Sequence, residues 1–458
     1  MIFMQTRKKY AIVGLGGRHE MFRDAIVSDF ASTSQLVGLC DINPGRVVLA
    51  QERVKERSGQ DVPGYGADQF DAMIRECRPD AVIVTTRDRE HSDYICRAME
   101  LGCDIVTEKP MTIDAARCNR IIETQKRTGQ RITVTFNYRY SPPRTQVKDL
   151  LMQGVIGDVL SVDFEWLLNV HHGADYFRRW HRNKENSGGL LVHKATHHFD
   201  LINWWLSTVP EEVFAMGHRR FYTPETADRY GLTNRSERCH TCPEVERCRF
   251  AMKLADNENQ RALYLDAEAH DGYFRDRCVF SPEIDIEDNM NVIVGYRNGA
   301  KLSYSLNAFL PWEGYMVRIN GSRGRLEHKC EESVYTNADG SVPGALNKEG
   351  TWIRVYPHWK PAYEVDVWEA KGGHGGADPK MLKYVFDPSD QPEDKYLRAA
   401  DQRSGAWSIL TGIAANISMA ERRLVRLDEL VPGLELPEYP VMPGPESKLK
   451  MPIEETLS

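Results

Sequence analysis

The sequence predicts an α/β N-terminal domain built on a parallel sheet, followed by an α+β domain with an open, mainly antiparallel sheet. Up to about residue 141, short apolar runs alternate with helix-like stretches, which is typical of repeated βαβ units. After Pro142 the apolar runs follow one another with turn residues between them, which indicates antiparallel hairpins. We therefore expect two domains, at residues 1–141 and 142–458.

The elements of the first domain follow strictly from this alternation. A strand from Tyr10 ends in a glycine turn, and a second strand over 35–40 ends in Asp41. Predicted helices then lie at about 45–58, 91–101 and 113–128, and predicted strands at 80–86, 103–110 and 131–140. A strand that alternates with a covering helix predicts a parallel sheet buried on both faces.

The second domain is predicted from strands in meander-like order, over 158–168, 290–309 and 315–329. A polar, cysteine-bearing segment at about 207–282 fits neither pattern and is interpreted as an insertion. The tail after about Leu430 is rich in proline and is expected to form an extended strap.

Composition excludes several classes of protein. The chain has 458 residues and a net charge of −7, with Lys and Arg scattered among Asp and Glu, so no nucleic-acid partner is expected. A secretory signal is not recognisable, and no run of about eighteen apolar residues predicts a transmembrane helix. We expect a cytoplasmic protein without a membrane partner.

A glycine turn after the first strand suggests a dinucleotide site. Gly14, Gly16 and Gly17 stand between a strand and a helix, where glycine lets backbone N–H groups and the helix N-terminus approach a pyrophosphate. The third position of the fingerprint holds His19 instead of glycine or alanine. A glycine turn by itself also has a purely structural interpretation.

Asp41 strengthens the cofactor interpretation. A carboxylate at the end of the second strand can accept hydrogen bonds from the adenosine ribose and would repel a 2′-phosphate, which favours NAD over NADP. Arg18 and Arg46 lie near enough in sequence to help hold a phosphate, and Asp41 can also be read as a helix cap. The N-terminal segment is thus predicted to be an NAD-binding Rossmann domain.

Four of the ten cysteines are spaced as metal ligands often are. Cys239, Cys242 and Cys248 follow the pattern C-x2-C-x5-C, and Cys278 follows thirty residues later. A structural zinc ion, an iron–sulfur cluster and no metal at all remain three open interpretations. The other six cysteines are scattered and are expected to be reduced.

Several motifs resemble the glucose-fructose oxidoreductase, inositol dehydrogenase and rhizopine-catabolism family, Gfo/Idh/MocA. The most specific is Glu108-Lys109-Pro110 at the end of a predicted strand. The others are NYRYSPP (137–143), GVIGDV (154–159), SGGLLVHKATHHFDLINWW (187–205), NGSRGRLE (320–327) and GGHGGADP (372–379). The resemblance covers almost the whole chain except the cysteine segment and the far tail.

The resemblance implies catalytic roles for Lys109 and His197. Lys109 would lie beside the nicotinamide and hydrogen-bond the reacting oxygen, and His197 would take the hydroxyl proton. The position that the family usually fills with Asp holds His193. On one helix His193 and His197 would share a face, so His193 is read as a substrate hydrogen-bonder, as a metal ligand with His197, or as a packing residue.

The motifs and the resemblance together predict a set of binding residues. For the cofactor these are Gly14, Gly16, Gly17, Arg18, His19, Asp41, Thr85, Thr86, His91, Glu108, Lys109 and Asn137. For the substrate they are Tyr138, Tyr176, Arg178, Trp180, His181, Lys194 and His374. The segment 171–189 is dense in polar and aromatic groups that suit a sugar, although each of them is also an ordinary loop residue. Arg182 belongs to the same predicted wall, and Asp378 is expected beside His374.

These observations predict an NAD-dependent oxidoreductase that transfers a hydride between a nicotinamide and a secondary hydroxyl or ketone of a sugar, inositol or glycoside. One alternative is an NAD-dependent glycoside hydrolase or lyase that oxidises C3 transiently, eliminates the aglycone and reduces the product, with Tyr176 or His193 as the extra base. A non-catalytic NAD- and sugar-binding sensor is a further alternative. The resemblance also implies a homo-oligomer, a dimer or a tetramer.

Overall fold

A computed structural model describes residues 7–333, 344–370, 373–387 and 394–444 of the chain. Residues 1–6 of the predicted first domain, Gly372 of the glycine-rich motif and residues 445–458 of the predicted strap lie outside the described residues. None of the described helices combines the length and apolarity that crossing a membrane requires.

The first sheet has six parallel strands in the order β3-β2-β1-β4-β5-β6. They are β1 Lys8–Val13, β2 Ser34–Asp41, β3 Gly64–Gly66, β4 Ala81–Val84, β5 Asp104–Thr107 and β6 Ile132–Val134. All of the pairings are parallel, and the order reverses between β1 and β4. This is the doubly wound arrangement, in which ligands bind at the carboxyl ends of the strands beside that reversal. The predicted fold class of the N-terminal part is confirmed.

Helices cover both faces of this sheet, at α1 His19–Val27, α2 Pro44–Ser58, α3 Phe70–Cys77, α4 His91–Glu100 and α5 Ala115–Thr128. The ends of α2 illustrate the local signals. The Asn43 side chain accepts a hydrogen bond from the backbone N–H of Arg46, Pro44 occupies the first turn, and Gly59 ends the helix in the left-handed conformation at φ +72°. Asp41 is therefore not the cap of this helix.

The second sheet has nine strands in the order β14-β13-β12-β11-β7-β10-β9-β8-β15. They are β7 Val159–Asn169, β8 Pro210–His218, β9 Asn289–Tyr296, β10 Lys301–Leu310, β11 Glu313–Gly321, β12 Gly324–Glu332, β13 Trp352–Pro357, β14 Tyr363–Val365 and β15 Val425–Arg426. Every pairing is antiparallel except that of β7 with β10. The predicted open, mainly antiparallel sheet is confirmed.

The helices of this part are α6 Pro142–Met152, α7 Val170–Arg178, α8 Lys184–Ser187, α9 Leu190–His193, α10 Thr196–Leu206, α11 Pro224–Arg229, α12 Glu258–Gln260, α13 Glu268–Asp271, α14 Gly373–Phe386 and α15 Gln402–Glu421. The long helix α15 packs against β8 and α10 and covers one face of the sheet. On the other face, alternate residues of β8 and β9 such as Met216 and Ile293 are more than half exposed.

Two local predictions differ from the structure. The predicted strand 131–140 ends at Val134, because Asn137–Tyr140 form a 3-10 turn that leads into the proline pair opening α6. His193 and His197 do not share one helix. His193 closes α9, and α10 begins only at Thr196.

The cysteine-bearing segment is not all insertion. Residues Pro210–His218 form β8 and pair with β9, so the predicted insertion at about 207–282 includes a strand of the sheet at its start. The remainder contains only short helices, among them the π-helix Arg261–Leu265.

Candidate active site

The glycine turn after β1 is shaped by a close contact with the loop after β4. Gly14 has φ +89°, and a Cβ atom there would lie 2.5 Å from the backbone nitrogen of Thr86. The Thr85 hydroxyl donates a hydrogen bond of 2.6 Å to the carbonyl of Gly14. Only glycine meets both the conformation and the spacing, so the two loops meet at the edge of the sheet where a dinucleotide would lie.

His19, the exception to the fingerprint, stabilises this turn. Its Nδ1 atom lies 2.6 Å from the carbonyl oxygen of Gly16. Burial lowers the pKa of His19 to about 3, so the neutral ring donates this hydrogen bond. The preceding residue, Arg18, donates from Nε to Glu108 across 2.7 Å and links the turn to the EKP motif.

Asp41 lies at the carboxyl end of β2, where a carboxylate that binds the ribose of a dinucleotide is expected. Its carboxylate accepts hydrogen bonds from the backbone N–H groups of Leu15 and Asn43. The residue is only 6% exposed, and burial raises its pKa. The geometry of the glycine turn and of this carboxylate suits a dinucleotide, with N–H groups for phosphates and oxygens for ribose hydroxyls.

The EKP motif is fixed against the loop after β4. The Lys109–Pro110 peptide bond is cis. The two ring nitrogens of His91 lie 2.8 Å from the carbonyl oxygen of Pro110 and 3.2 Å from that of Thr86. His91 is thus buried between the two loops and positions the motif.

Lys109 extends from this motif into the cleft and reaches the other domain. Its Nζ atom donates to the backbone carbonyl of His193 across 3.4 Å. Burial lowers the pKa of Lys109 to about 8, although the carboxylates of Glu108 and Asp88 favour its charged form. A lysine with this pKa can stabilise negative charge on a reacting oxygen near neutral pH.

His193 is paired with a carboxylate that the sequence did not single out. Its Nδ1 atom lies 2.5 Å from Oδ2 of Asp88, in the loop after β4, and both residues are buried. Burial lowers the pKa of His193 well below its usual value, and the charge of Lys109 adds to this effect. Burial raises the pKa of Asp88 well above its usual value. When Asp88 is ionised it accepts the hydrogen bond from Nδ1–H, and Nε2 of His193 is then the acceptor that faces a ligand.

His197 has a different environment. Its ring stacks on Tyr138 at 4.4 Å between centroids, and its Nδ1 atom is buried without a hydrogen-bond partner among the described groups. Burial lowers the pKa of His197 well below its usual value, with Lys109 as the largest charge effect. His197 is therefore neutral and able to accept a proton.

Three aromatic residues of the predicted sugar wall surround His193. The ring centroids of Tyr176, Trp180 and His181 lie 5.4, 5.9 and 4.2 Å from that of His193. They place aromatic faces and ring edges beside the His193 ring without adding charge, because burial also lowers the pKa of His181 well below its usual value.

The two arginines of the predicted wall lie elsewhere. Arg178 contacts Asp175 at 3.4 Å and faces the insertion, where it partly offsets the rise that burial causes in the pKa of Cys239. Arg182 donates to the carbonyl of Cys278 and to Glu283. Both arginines therefore stabilise the packing of the insertion in this structure.

A second relay reaches the same wall from the large sheet. Glu313 lies 2.9 Å from Nδ1 of His172, and Nε2 of His172 lies 3.1 Å from the hydroxyl of Tyr176. With Nδ1 protonated, His172 can accept the phenolic proton of Tyr176. The hydrogen-bonded series Glu313–His172–Tyr176 is therefore able to move a proton to or from the site.

The remaining predicted residues lie around the Tyr138 ring. Lys194 lies 4.5 Å above the Trp166 ring and 5.9 Å from Tyr138. Asp378 accepts hydrogen bonds from His374 and Asn137, each 2.8 Å long. His198 lies 2.8 Å from the Tyr304 hydroxyl, a contact with the large sheet.

The insertion contributes residues to the cofactor end of the cleft, which the sequence did not predict. The hydroxyl of Tyr264 accepts a 2.9 Å hydrogen bond from the backbone N–H of Gly17. Asp271 lies 2.8 Å from Nη1 of Arg46. The only sequence signal was the aromatic and charged character of the segment around residues 261–277.

The four spaced cysteines come together in the insertion. Cys239, Cys242, Cys248 and Cys278 line one cavity of about 30 Å³. Backbone N–H groups of Ser236 and Met252 donate to the sulfurs of Cys242 and Cys239 at 3.4 Å. Within residues 7–333 and the other described ranges, no group of three or more His, Cys, Asp or Glu side chains is arranged to hold a metal ion.

Two family models match the chain and decide its classification. "Oxidoreductase family, NAD-binding Rossmann fold" matches residues 8–136, and "Oxidoreductase family, C-terminal alpha/beta domain" matches residues 148–427. The chain belongs to the Gfo/Idh/MocA oxidoreductase family. The predicted resemblance is confirmed, and so are its consequences for class, an NAD-binding Rossmann domain in an oxidoreductase.

Individual Gfo/Idh/MocA relatives differ in what they are named for. A protein of Bacillus subtilis (strain 168), "Putative oxidoreductase YteT", is 37% identical over 92% of this chain and 98% of its own length. An inositol 2-dehydrogenase/D-chiro-inositol 3-dehydrogenase of Lactiplantibacillus plantarum is 24% identical over 43% of this chain and 51% of its own. Glycosyl hydrolase family 109 protein 1 of Akkermansia muciniphila is 25% identical over 40% of each.

A solved structure shows the same fold over both domains. The WlbA dehydrogenase from Bordetella pertussis, in complex with NADH and UDP-GlcNAcA, superposes with a TM-score of 0.58 at 17% identity. The match covers 92% of this chain and 99% of that one. At this identity the likeness establishes the Gfo/Idh/MocA fold alone.

Proposed function

We propose that this oxidoreductase transfers a hydride between NAD and a secondary hydroxyl or ketone of a sugar, inositol or glycoside. The observation that carries the proposal is the position of Lys109. Its ammonium group lies at the carboxyl edge of the Rossmann sheet and contacts His193 of the second domain. A reacting oxygen held there meets a cationic donor and, on the facing wall, neutral histidines.

In alcohol oxidation, each of these residues has a separate role. Lys109 donates to the reacting oxygen and stabilises its developing negative charge. His197, neutral because of burial, accepts the hydroxyl proton. The glycine turn at Gly14 and the Asp41 carboxylate would hold NAD, which would supply the hydride acceptor for this oxidation. His193, oriented by Asp88, holds a neighbouring hydroxyl of the substrate.

The wall suits a polyhydroxylated substrate. Tyr176, Trp180 and His181 offer aromatic faces to C–H groups, and Lys194 and His374, beside Tyr138, offer donors. Purified full-length protein is assayed with NAD against a panel of sugars, inositols and aryl glycosides. Sustained NADH formation with an equivalent of keto product supports the proposal, and aglycone release without net NADH contradicts it.

A second candidate function is favoured by the two relays, Asp88–His193 and Glu313–His172–Tyr176. Net alcohol oxidation needs one proton acceptor, whereas transient C3 oxidation followed by elimination needs another base to remove the proton at C2. The relative named as a glycosyl hydrolase makes this chemistry reasonable within the family. Exchange of the C2 proton with deuterated solvent distinguishes it from simple oxidation.

For the cofactor, the site favours NAD over NADP. Asp41 lies at the ribose end, and the nearby cations Arg18 and Arg46 both pair with carboxylates, at 2.7 and 2.8 Å. Binding of a 2′-phosphate would require one of these arginines to pair with the phosphate instead of with its carboxylate.

We infer that Cys239, Cys242, Cys248 and Cys278 bind a structural zinc ion and that their side chains move together when they do so, because in this structure no three of them are arranged to hold a metal. Four thiols from separate turns converge on one cavity, and N–H groups directed at sulfur favour thiolates. Zinc would fix the insertion to the substrate domain and take no part in hydride transfer. Metal analysis of protein purified without chelator tests this inference.

For the assembly, we infer a homo-oligomer that packs through the open face of the nine-stranded sheet. This face carries Met216 and Ile293, 63% and 58% exposed, beside a groove of about 400 Å³. Exposed apolar patches rimmed by polar groups are typical of protein interfaces.

A further inference from the structure

Part of the insertion returns to the Rossmann domain and packs on its cofactor edge. We call residues 258–273 the ribose arm. Asn43 donates from its side-chain amide to the carbonyl of Ala267 across 2.9 Å, and Arg46 donates from Nε to the carbonyl of Leu263 across 3.0 Å. The arm therefore contacts the turn between β2 and α2, which lies beside Asp41.

The ribose arm also reaches the glycine turn. The Tyr264 hydroxyl accepts a 2.9 Å hydrogen bond from the N–H of Gly17, one of the donors that this turn would present to a pyrophosphate. Tyr264 is buried, and the guanidinium of Arg275 lies 4.3 Å above its ring. Two independent contacts thus place the arm at the phosphate and ribose ends of the same cofactor cleft.

Arg46 is the cation at the ribose end, and two carboxylates surround it. Its Nη1 atom lies 2.8 Å from Asp271 and 3.8 Å from Asp41, and its side chain is 8% exposed. Its Nη2 atom is buried and has no hydrogen-bond partner among the described groups. One positive charge therefore faces two negative charges in a poorly hydrated site, where charges interact strongly.

We propose that Asp271, supplied by the ribose arm, acts together with Asp41 to make the site select NAD over NADP. The proposal rests on the proposed nicotinamide-dependent function and assigns a cofactor-selecting residue to the insertion. A 2′-phosphate would add nearly two negative charges to this site. Asp271 holds the Arg46 guanidinium that would otherwise pair with this phosphate, and its own charge adds repulsion.

The test measures binding instead of turnover. The dissociation constants of NAD and NADP are measured by calorimetry on full-length wild-type protein and on Asp271→Asn. The amide keeps the shape of the carboxylate and removes its charge. Asp266→Asn is the matched control, because Asp266 lies on the same arm with its carboxylate more than half exposed and paired only with Arg261 among the contacts described.

We expect Asp271→Asn to tighten NADP binding by about tenfold or more relative to NAD, the effect of about 1.4 kcal/mol, while Asp266→Asn leaves the ratio unchanged. An unchanged ratio in Asp271→Asn, or an equal loss of both nucleotides, overturns the proposal and leaves the NAD-dependent function standing. Wild-type protein that binds neither nucleotide overturns the cofactor assignment and this proposal with it. If Asp271→Asn does not fold, Asp271→Ser removes the same charge and is judged by the same ratio.

Discussion

Nδ1 of His193 lies 2.5 Å from Oδ2 of Asp88, which belongs to the other domain and precedes it by 105 positions. At this position the site therefore holds a buried histidine backed by a buried acidic residue. A carboxylate on Nδ1 fixes the tautomer of the ring and leaves Nε2 directed at a ligand.

Asp88→Asn should therefore impair catalysis more than folding. The amide can donate to Nδ1 and fix the other tautomer of the ring, so that Nε2 no longer accepts from the neighbouring hydroxyl of the substrate. We expect kcat to fall by about 100-fold, the scale of a misplaced substrate. Steady-state kinetics and a thermal melt measure the two effects separately. Asp93→Asn, on the exposed side of α4, is the control. If Asp88→Asn keeps kcat within about threefold of wild type, the pair has only a packing role.

The pKa of Lys109 predicts an alkaline limit to activity. The ammonium is charged below its pKa of about 8 and neutral above it, so stabilisation of the reacting oxygen is present at low pH and is lost as pH rises through 8. We expect kcat/KM to fall about tenfold per pH unit above pH 8. Lys109→Arg, whose charge persists, should have low activity without this limb. A limb that remains in the arginine variant would assign the titration to another group.

The sequence was sufficient for the fold because its signals are local. The glycine turn, the acidic end of β2 and the strand–helix alternation each lie within a few residues, so β1, β2, β4 and β5 and the helices α2, α4 and α5 were predicted closely, whereas β3 and α3 were not predicted. The strand expected at 131–140 was too long, since Asn137–Tyr140 form a 3-10 turn before Pro142 instead. Short strands such as β3 and β15 have too few residues to show a period.

The site was only partly predictable, since its pairings are not local. Lys109 and His197 follow from motifs, whereas Asp88 becomes visible only when two domains meet at His193. Tyr264 was missed for the same reason, because 247 positions separate it from Gly17. Arg178 and Arg182 were predicted in the sugar wall from their neighbours in sequence, but a guanidinium on a long side chain can reach either side of its segment.

The relay from Glu313 through His172 to Tyr176 distinguishes the two candidate reactions. If the enzyme is a net dehydrogenase, Tyr176→Phe removes one hydrogen bond to substrate, and we expect KM to rise about threefold to tenfold with kcat little changed. If it eliminates an aglycone, the same variant should lose exchange of the C2 proton. Kinetics of NADH formation and exchange followed by NMR are measured on one preparation, with Tyr230→Phe on the exposed insertion surface as control.

The cysteine cluster predicts a metal-dependent stability. Cys242→Ser and Cys278→Ser each remove one of four thiolates, and we expect the zinc content to fall from about one per chain towards zero with a lower melting temperature, because structural zinc contributes directly to folding. Elemental analysis and thermal melts measure both quantities. Cys77→Ser, a half-buried thiol of the first domain, is the matched control. Wild-type protein with no bound metal that melts at the same temperature with and without chelator would contradict the zinc site.

The open face of the nine-stranded sheet is predicted to be the interface between copies of this chain. Met216 and Ile293 point away from α15, so replacing both with glutamate leaves the core of the sheet intact and introduces like charges across any interface formed by two copies of this face. We expect the double variant to be monomeric in light scattering and to keep its cofactor affinity, since the cleft lies at the edge of the other sheet. Glutamate at Leu160, an exposed residue near the start of β7, is the control. A wild-type protein that is itself monomeric, or a double variant with the wild-type mass, would rule out this face as the interface.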